Sequence, residues 1–158
     1  MVKVEIYTDG SCAPNPGPGG WAAILIFGAH KREMVGGSHY TTNNQMELMA
    51  AFCALKTLKQ PCNVHLYTDS QYLRLGITQW VKTWVKNGWR TREGKLVKNR
   101  ELWEDIYYQS LAHTITWHWV RGHSGNLYNE RVDQLATKAR ERFCSEKGST
   151  NGISQIHT

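Results

Sequence analysis

The run V-E-I-Y-T-D-G-S from Val4 returns further along the chain as V-H-L-Y-T-D-S-Q from Val64. In each copy an aspartate, Asp9 or Asp69, ends the run in the same pleat phase as the tyrosine two positions before it. If the two runs are parallel neighbouring strands, the carboxylates emerge side by side, on the order of 5 Å apart. Anions that close repel, and both stay charged only with a cation between them; otherwise one takes a proton. Glu47 lies in M-E-L-M-A-A, where its helical neighbours are Asn43, Asn44, Ala50, Ala51 and Ala54. Such small residues let a helix approach a sheet closely and carry Glu47 to the strand ends. Asp133 borders the apolar stripe of the last helix, one turn after Asn129 and Glu130, where it can face inward beside the sheet. Taken singly, each acid also has an ordinary reading: T-D-G and T-D-S make turns, and Glu47 and Asp133 sit on solvated helix faces. The matched pair of aspartates weakens that reading. Oxygen ligands drawn from separate elements suit Mg²⁺ or Mn²⁺, and no D-x-D-x-D-G run marks a calcium loop.

Between Trp80 and Arg100 lie seven basic residues, Lys82, Lys86, Arg90, Arg92, Lys95, Lys98 and Arg100, against the single acid Glu93. Trp80 and Trp84 fall on one helical face, with Trp89 just beyond. Basic residues interleaved with aromatics suit a phosphate track with an apolar shelf. A solvated charged face with tryptophans turned into the core fits the same pattern equally well.

The elements that must position these groups follow from periodicity and breakers. Strands are predicted at Val4 to Asp9, Trp21 to Phe27 and His30 to Tyr40, with the Pro/Gly stretch Ala13 to Gly20 as a loop. Short connections make these three an antiparallel meander. A helix follows from Asn43 to Lys59 with Thr42 as its N-cap, then a strand from Val64 to Asp69. Helical segments near Gln71 to Lys86, with Gly76 as a break, and Arg100 to Ala112 precede a fifth strand, Ile115 to Val120. The last helix runs from Leu127 to Phe143, where Val132, Leu135, Ala136, Ala139 and Phe143 form its core stripe. The fold class is therefore α/β: a five-stranded mixed sheet, antiparallel in strands 1–3 and parallel in strands 4 and 5, flanked by helices. Residues 1–143 form one domain, and the polar, Gly/Ser-containing residues 144–158 read as a flexible tail.

The 158 residues suffice for one domain that buries roughly 70% of its unfolded surface, so no disulfide or metal staple is required for folding. Nineteen Lys+Arg against thirteen Asp+Glu give a net charge of +6, which makes nucleic acid plausible without singling it out. Cys12, Cys53, Cys62 and Cys144 form no C-x-x-C pair and read as reduced cytoplasmic thiols. A strand from the third residue leaves no room for a signal peptide, and no apolar run is long enough to span a bilayer.

Five separated motifs then occur in order: Y-T-D-G-S, T-T-N-N-x-M-E-L-M-A-A, T-D-S-Q-Y, V-R-G-H-S-G and N-E-R-V-D-x-L-A. Together they resemble bacterial ribonuclease HI, from about Val2 to Phe143. The resemblance implies a ribonuclease H-like fold and an endonuclease that cuts the RNA strand of RNA–DNA hybrids, leaving 5′-phosphate and 3′-hydroxyl ends. It carries a metal-ligand role onto Asp9, Glu47, Asp69 and Asp133, with two Mg²⁺ ions, replaceable by Mn²⁺, serving an in-line displacement. His123, in the G-H-S-G loop, takes proton transfer or product release, although a lone loop histidine usually has no such role. Cys12 (through its backbone), Asn15, Asn43, Asn44 and Glu47 are implied contacts to RNA 2′-hydroxyls. Thr42 and Asn99 match residues that hold a DNA phosphate, and Trp80, Trp84 and Lys86 lie in a segment resembling the basic protrusion that grips the DNA strand. The partner expected is thus the hybrid, with no membrane, for a monomeric cytoplasmic enzyme.

The sequence departs from that pattern at two places. Tyr40 stands where relatives often carry a basic residue, and Gln45 replaces a frequent arginine. Both remove positive charge near the hybrid, so weaker or more salt-sensitive binding is expected. Competing readings are a hybrid-coating module that does not cut, another nuclease of the wider superfamily such as an integrase or junction resolvase, and a basic α/β domain with structural acids.

Overall fold

A computed structural model describes residues 1–121 and 126–145, and of the last residues the backbone of the strand Gln155–His157. Strands β1 (Val2–Cys12), β2 (Gly17–Phe27) and β3 (His30–Thr41) form the antiparallel meander. Helix α1 (Asn43–Lys56) leads to β4 (Cys62–Thr68), which runs parallel to β1. Helices α2 (Gln71–Leu75), α3 (Val81–Lys86) and α4 (Arg100–Ala112) precede β5 (Thr114–Trp119), which is parallel to β4. Helix α5 (Leu127–Ser145) follows, and β6 (Gln155–His157) pairs antiparallel with β3. The strand order is β5-β4-β1-β2-β3-β6. The five-stranded mixed sheet expected from the sequence is present, with β6 added at its β3 edge.

Burial explains the patterning. Ala22, Ala23, Ile24 and Leu25 of β2 are all at most 2% exposed, because α1 covers one face of the central strands and α5 the other. In β4, Cys62, Val64, Leu66 and Thr68 are buried while Asn63, His65 and Tyr67 between them are half-buried. That second face of β4 lies outside the strands packed by α5, which are β1, β2 and β3.

Several boundaries shift for local reasons. Strand β2 begins at Gly17, inside the predicted loop, since Gly17, Gly19 and Gly20 pair with β3. Helix α1 stops at Lys56 because the backbone N–H and hydroxyl of Thr57 both donate to the Ala54 carbonyl. Gly76 ends α2 as expected, but the chain does not leave the helical path: a π-helical turn, Gly76–Trp80, joins α2 to α3. Its glycine is required by packing, for a Cβ there would lie 2.0 Å from the Trp103 ring.

Candidate active site

Strands β1 and β4 pair in the register Tyr7↔Tyr67, so Asp9 and Asp69 follow as the next residues on the same face. The two tyrosines stack at 4.6 Å and 10°, locking the strands two residues before the acids. Carboxylate oxygens of Asp9, Asp69 and Glu47 lie within 4.8 Å of one another.

Glu47 reaches them because α1 packs directly on β1. Ala50, Ala51 and Ala54 have no exposed surface, and Gly10 makes the closest approach. A Cβ at Gly10 would sit 2.6 Å from Glu47 N and 2.8 Å from Met46 C. The Gly10 N–H donates to Glu47 Oε1 and also to Asp9 Oδ1, the latter at 2.9 Å. Asp133 lines the same pocket, of about 380 Å³, from the opposite side of the sheet edge. It is placed there by α5, whose Val132 and Ala136 are fully buried against Tyr7, Ala22 and Ile24. Gly20 permits this packing, since a Cβ on it would stand 2.5 Å from the Ala136 carbonyl oxygen.

The electrostatics follow from this crowding. Asp9 is 7% exposed and Glu47 3%. Burial, then the charges of Glu47 and Asp69, raises the Asp9 carboxyl well above its ordinary range; contacts with Glu47 and Asp133 add to the rise. Burial and the charge of Asp69 raise Glu47 too, opposed by hydrogen bonds from Asp9, Gly10 and Ser70. Among the described residues, no Lys or Arg lines the pocket. An all-oxygen set short of positive charge, with Asp9 and Glu47 buried and Asp69 and Asp133 half-buried, fits a hard divalent cation such as Mg²⁺ or Mn²⁺.

Other residues singled out from the sequence fall into two groups, one beside this pocket and one apart from it. Asn43 and Asn44 line it, and the Asn43 N–H donates to Asn15 Oδ1 at 3.2 Å. Thr42 is the N-cap of α1, accepting from Gln45 N at 3.1 Å. Cys12 ends β1 with its thiol directed at the carbonyls of Pro14, Gly17 and Thr41. Asn99, left-handed at φ 60°, precedes α4 and is bonded to Gln45 and Tyr72. Trp80, Trp84 and Lys86 stand apart from the acids: the two rings meet at 5.8 Å, while Lys86 is exposed at the end of α3. His123 lies outside the described residues.

Sequence reasoning missed the residues that join these groups. Tyr72 lines the acid pocket and meets Trp80 edge-on at 5.7 Å. Ser70 and Gln71 also line the pocket, and all three belong to the quoted T-D-S-Q-Y motif, which was the signal available. Gly10 likewise stood in plain view after Asp9, but its contact with Glu47 spans 37 positions.

Comparison with known proteins gives a consistent answer. The RNase H family profile matches residues 1–141. A ribonuclease H of Hahella chejuensis is 55% identical over 148 residues, covering 94% of this chain and 100% of that protein. One from Bradyrhizobium diazoefficiens is 61% identical over 136 residues, covering 86% of this chain and 88% of its own length. Among solved structures, LC9-RNase H1, described as a type 1 RNase H with the type 2 active-site motif, superposes with a TM-score of 0.81 at 28% identity, over 98% of this chain and 78% of that one. LC11-RNase H1, solved in complex with an RNA/DNA hybrid, shares the fold at a TM-score of 0.62 and 20% identity, over 90% of this chain and 99% of that one. With the profile and full-length bacterial relatives in agreement, the chain belongs to the ribonuclease H family of enzymes.

Proposed function

We propose that this enzyme is an endonuclease that hydrolyses the RNA strand of RNA–DNA hybrids, leaving 5′-phosphate and 3′-hydroxyl ends. The observation that carries the reading is the convergence of Asp9, Glu47 and Asp69 within 4.8 Å, in a pocket also lined by Asp133. In this reading the four carboxylates hold two Mg²⁺ ions, for which Mn²⁺ can substitute. When bound, such ions supply Lewis-acid activation of water and neutralise charge on the leaving 3′ oxygen.

The chain's own residues then do the rest. Gly10 fixes Glu47 and Asp9 through one backbone N–H, so ligand geometry is set before substrate arrives. Asn43 and Asn44, on the pocket wall, are placed to read 2′-hydroxyls with Asn15 and the Cys12 backbone. Thr42 and Asn99 hold a phosphate of the DNA strand, and Trp80, Trp84 and Lys86 extend that track. His123 serves proton transfer or product release. The catalytic unit is residues 1–143, acting as a monomer, with 144–158 outside the chemistry. The free thiols Cys12, Cys53, Cys62 and Cys144 suit a cytoplasmic setting, and no described helix is long and apolar enough to cross a membrane.

The test compares hybrid, double-stranded RNA and double-stranded DNA as substrates with and without Mg²⁺, using Asp69→Asn as control. Metal-dependent cutting of the RNA strand of the hybrid alone is expected. Equal cleavage of double-stranded DNA would instead place the chain's activity with the superfamily's DNA nucleases.

A further inference from the structure

Gln45 stands where the family resemblance leads one to expect arginine, and its amide is hydrogen-bonded at both ends. Its Oε1 accepts from the Thr41 hydroxyl at 2.7 Å, and its Nε2 donates to Asn99 Oδ1 at 3.2 Å. Asn99 Nδ2 in turn donates to the Tyr72 hydroxyl oxygen at 3.1 Å, which also accepts from Trp103 Nε1 at 3.0 Å. The chain of contacts therefore links β3, α1, the start of α4 and the Tyr72 side of the acid pocket.

A carboxamide has nearly the same shape either way round, but one end accepts and the other donates. Here the bonds run in one direction, from the Thr41 hydroxyl as donor to the Tyr72 hydroxyl as acceptor. Thr41 is 5% exposed, and its hydroxyl engages Gln45 Oε1, which leaves the Gln45 NH₂ to face Asn99. That group can only donate, so Asn99 must turn Oδ1 towards it and NH₂ away from it. One of the two Asn99 amide hydrogens is used by Tyr72, and among the described residues the other remains to donate. The Asn99 backbone sits in the left-handed region at φ 60°, a conformation asparagine tolerates better than most residues, so the side chain projects from a fixed base.

We propose that Gln45 is a positioning residue for phosphate recognition: it orients the Asn99 amide so that its spare N–H faces the DNA-strand phosphate. The proposal rests on the phosphate role read for Thr42 and Asn99. Gln45 acts through Asn99 and does not itself touch the nucleic acid. A further consequence concerns salt. An arginine at position 45 would orient Asn99 through the same donor contact and add a charge, whereas glutamine supplies orientation alone. Neutral donors release no counterions, so hybrid binding at this point is weaker than with arginine but less steeply dependent on salt. At position 45 this keeps the weaker binding expected from the departure at Tyr40 and Gln45 but reverses the greater salt sensitivity.

The experiment measures kcat and KM of the full chain on a defined hybrid, and on the same hybrid carrying single methylphosphonate substitutions scanned along the DNA strand. In Gln45→Met the orienting donor is lost; KM should rise about three- to tenfold, the worth of one neutral hydrogen bond, while kcat holds within about twofold. The salt dependence of KM should not change, because no charge has been removed. Gln45→Arg restores the donor, so KM should return to the wild-type value or below, with the log–log salt slope steeper by about one. At the methylphosphonate position that raises the wild-type KM most, the Gln45→Met defect should vanish, since the phosphate oxygen that Asn99 would meet is gone. Thr41→Val, which removes only the hydroxyl that orients Gln45, should shift KM in the same direction by a smaller factor.

A wild-type KM sensitive to a methylphosphonate, with Gln45→Met indistinguishable from wild type, overturns the role of Gln45 and leaves the phosphate site standing. A wild-type KM insensitive at every position overturns both. A Gln45→Met defect that persists on all methylphosphonate hybrids, or that appears in kcat rather than KM, assigns Gln45 to folding or to the acid pocket and likewise ends the proposal.

Discussion

Asp9 and Glu47 are 7% and 3% exposed, whereas Lys82, Lys86, Arg90, Arg92, Lys95 and Lys98 all stand in solvent. The acids converge from β1, α1 and the end of β4 into one pocket, where α1 packs directly on β1. The cations are spread along a protrusion held by its own aromatic cluster, in which Trp84 meets Trp80, Trp89 and Trp103 at 5.8, 6.2 and 5.6 Å. The protrusion turns at Gly88 and Trp89, both at positive φ, and is closed by the Arg90↔Leu96 bridge. Chemistry demands concentration of like charge at one point, with the strain that brings. Phosphate binding needs only charge distributed along a track. The first arrangement therefore has no redundancy and the second has a great deal.

That contrast is tested most severely by single substitutions in each region. Asp69→Asn should lower kcat by about a thousandfold or more, corresponding to roughly 4 kcal/mol of lost transition-state stabilisation. Lys86→Ala should leave kcat within about twofold and raise KM only about threefold, as befits one exposed phosphate contact among several. Steady-state kinetics on a defined hybrid reads both, and effects of similar size would break the comparison.

Next in size is Gly10→Ala, which adds one methyl group to the backbone contact between β1 and α1. The two nearest neighbours it meets are main-chain atoms of Met46 and Glu47, which cannot swing aside, and the third is the Glu47 carboxylate. The helix must lift, at a cost of about 1–3 kcal/mol in stability, and Glu47 moves with it. We expect kcat to fall by about a hundredfold in a protein that still folds, since displacements on the order of 1 Å can cost that much. Chemical denaturation beside kinetics separates the two effects; a variant with unchanged kcat would mean that Glu47 tolerates displacement. Smaller again is the salt effect: neutralising Lys82 and Lys86 together should reduce the log–log salt slope of hybrid binding by about two, without altering metal dependence.

How much of this was legible in the sequence depends on the range of each contact. The repeated strand ends displayed the parallel register of β1 and β4, because both side-chain period and sequence echo are local patterns. The Thr42 cap and the buried stripe of α5 were legible for the same reason. Contacts that join distant segments left no local trace. The Gln45–Asn99 bond spans 54 positions, and the Gly76–Trp103 contact hides behind a glycine that reads equally well as a helix break. Strand β6 was missed because its pairing with β3 is made by backbone groups, which polar sequence neither advertises nor forbids. The double character of the tryptophans also needed the structure: Trp103 is buried in the core, while Trp80 and Trp84 are half-buried beside the pocket's Tyr72.

The smallest expected effect probes strain in the pocket itself. Asp9 titrates above its ordinary range in the folded chain, chiefly through burial and then through Glu47 and Asp69. A carboxyl whose folded pKa exceeds its unfolded value contributes stability that is complete below the unfolded pKa, near 4, and is lost as pH rises towards the folded one. In metal-free buffer the pocket therefore destabilises the fold progressively above about pH 4. Asp9→Asn removes one member of the cluster while keeping an oxygen for the Gly10 N–H. Its melting temperature at pH 8 without metal should exceed that of the wild type by a few degrees, about 2–4 °C per kcal/mol for a chain of this size. The gap should close near pH 4, where Asp9 and Glu47 are protonated in the wild type, and also on adding Mg²⁺ at pH 8, where the cation stabilises only the intact cluster. Thermal melts of both proteins at two pH values, with and without metal, are sufficient. A gap that is independent of pH would place the stabilisation in packing and remove the electrostatic half of the comparison with the basic protrusion.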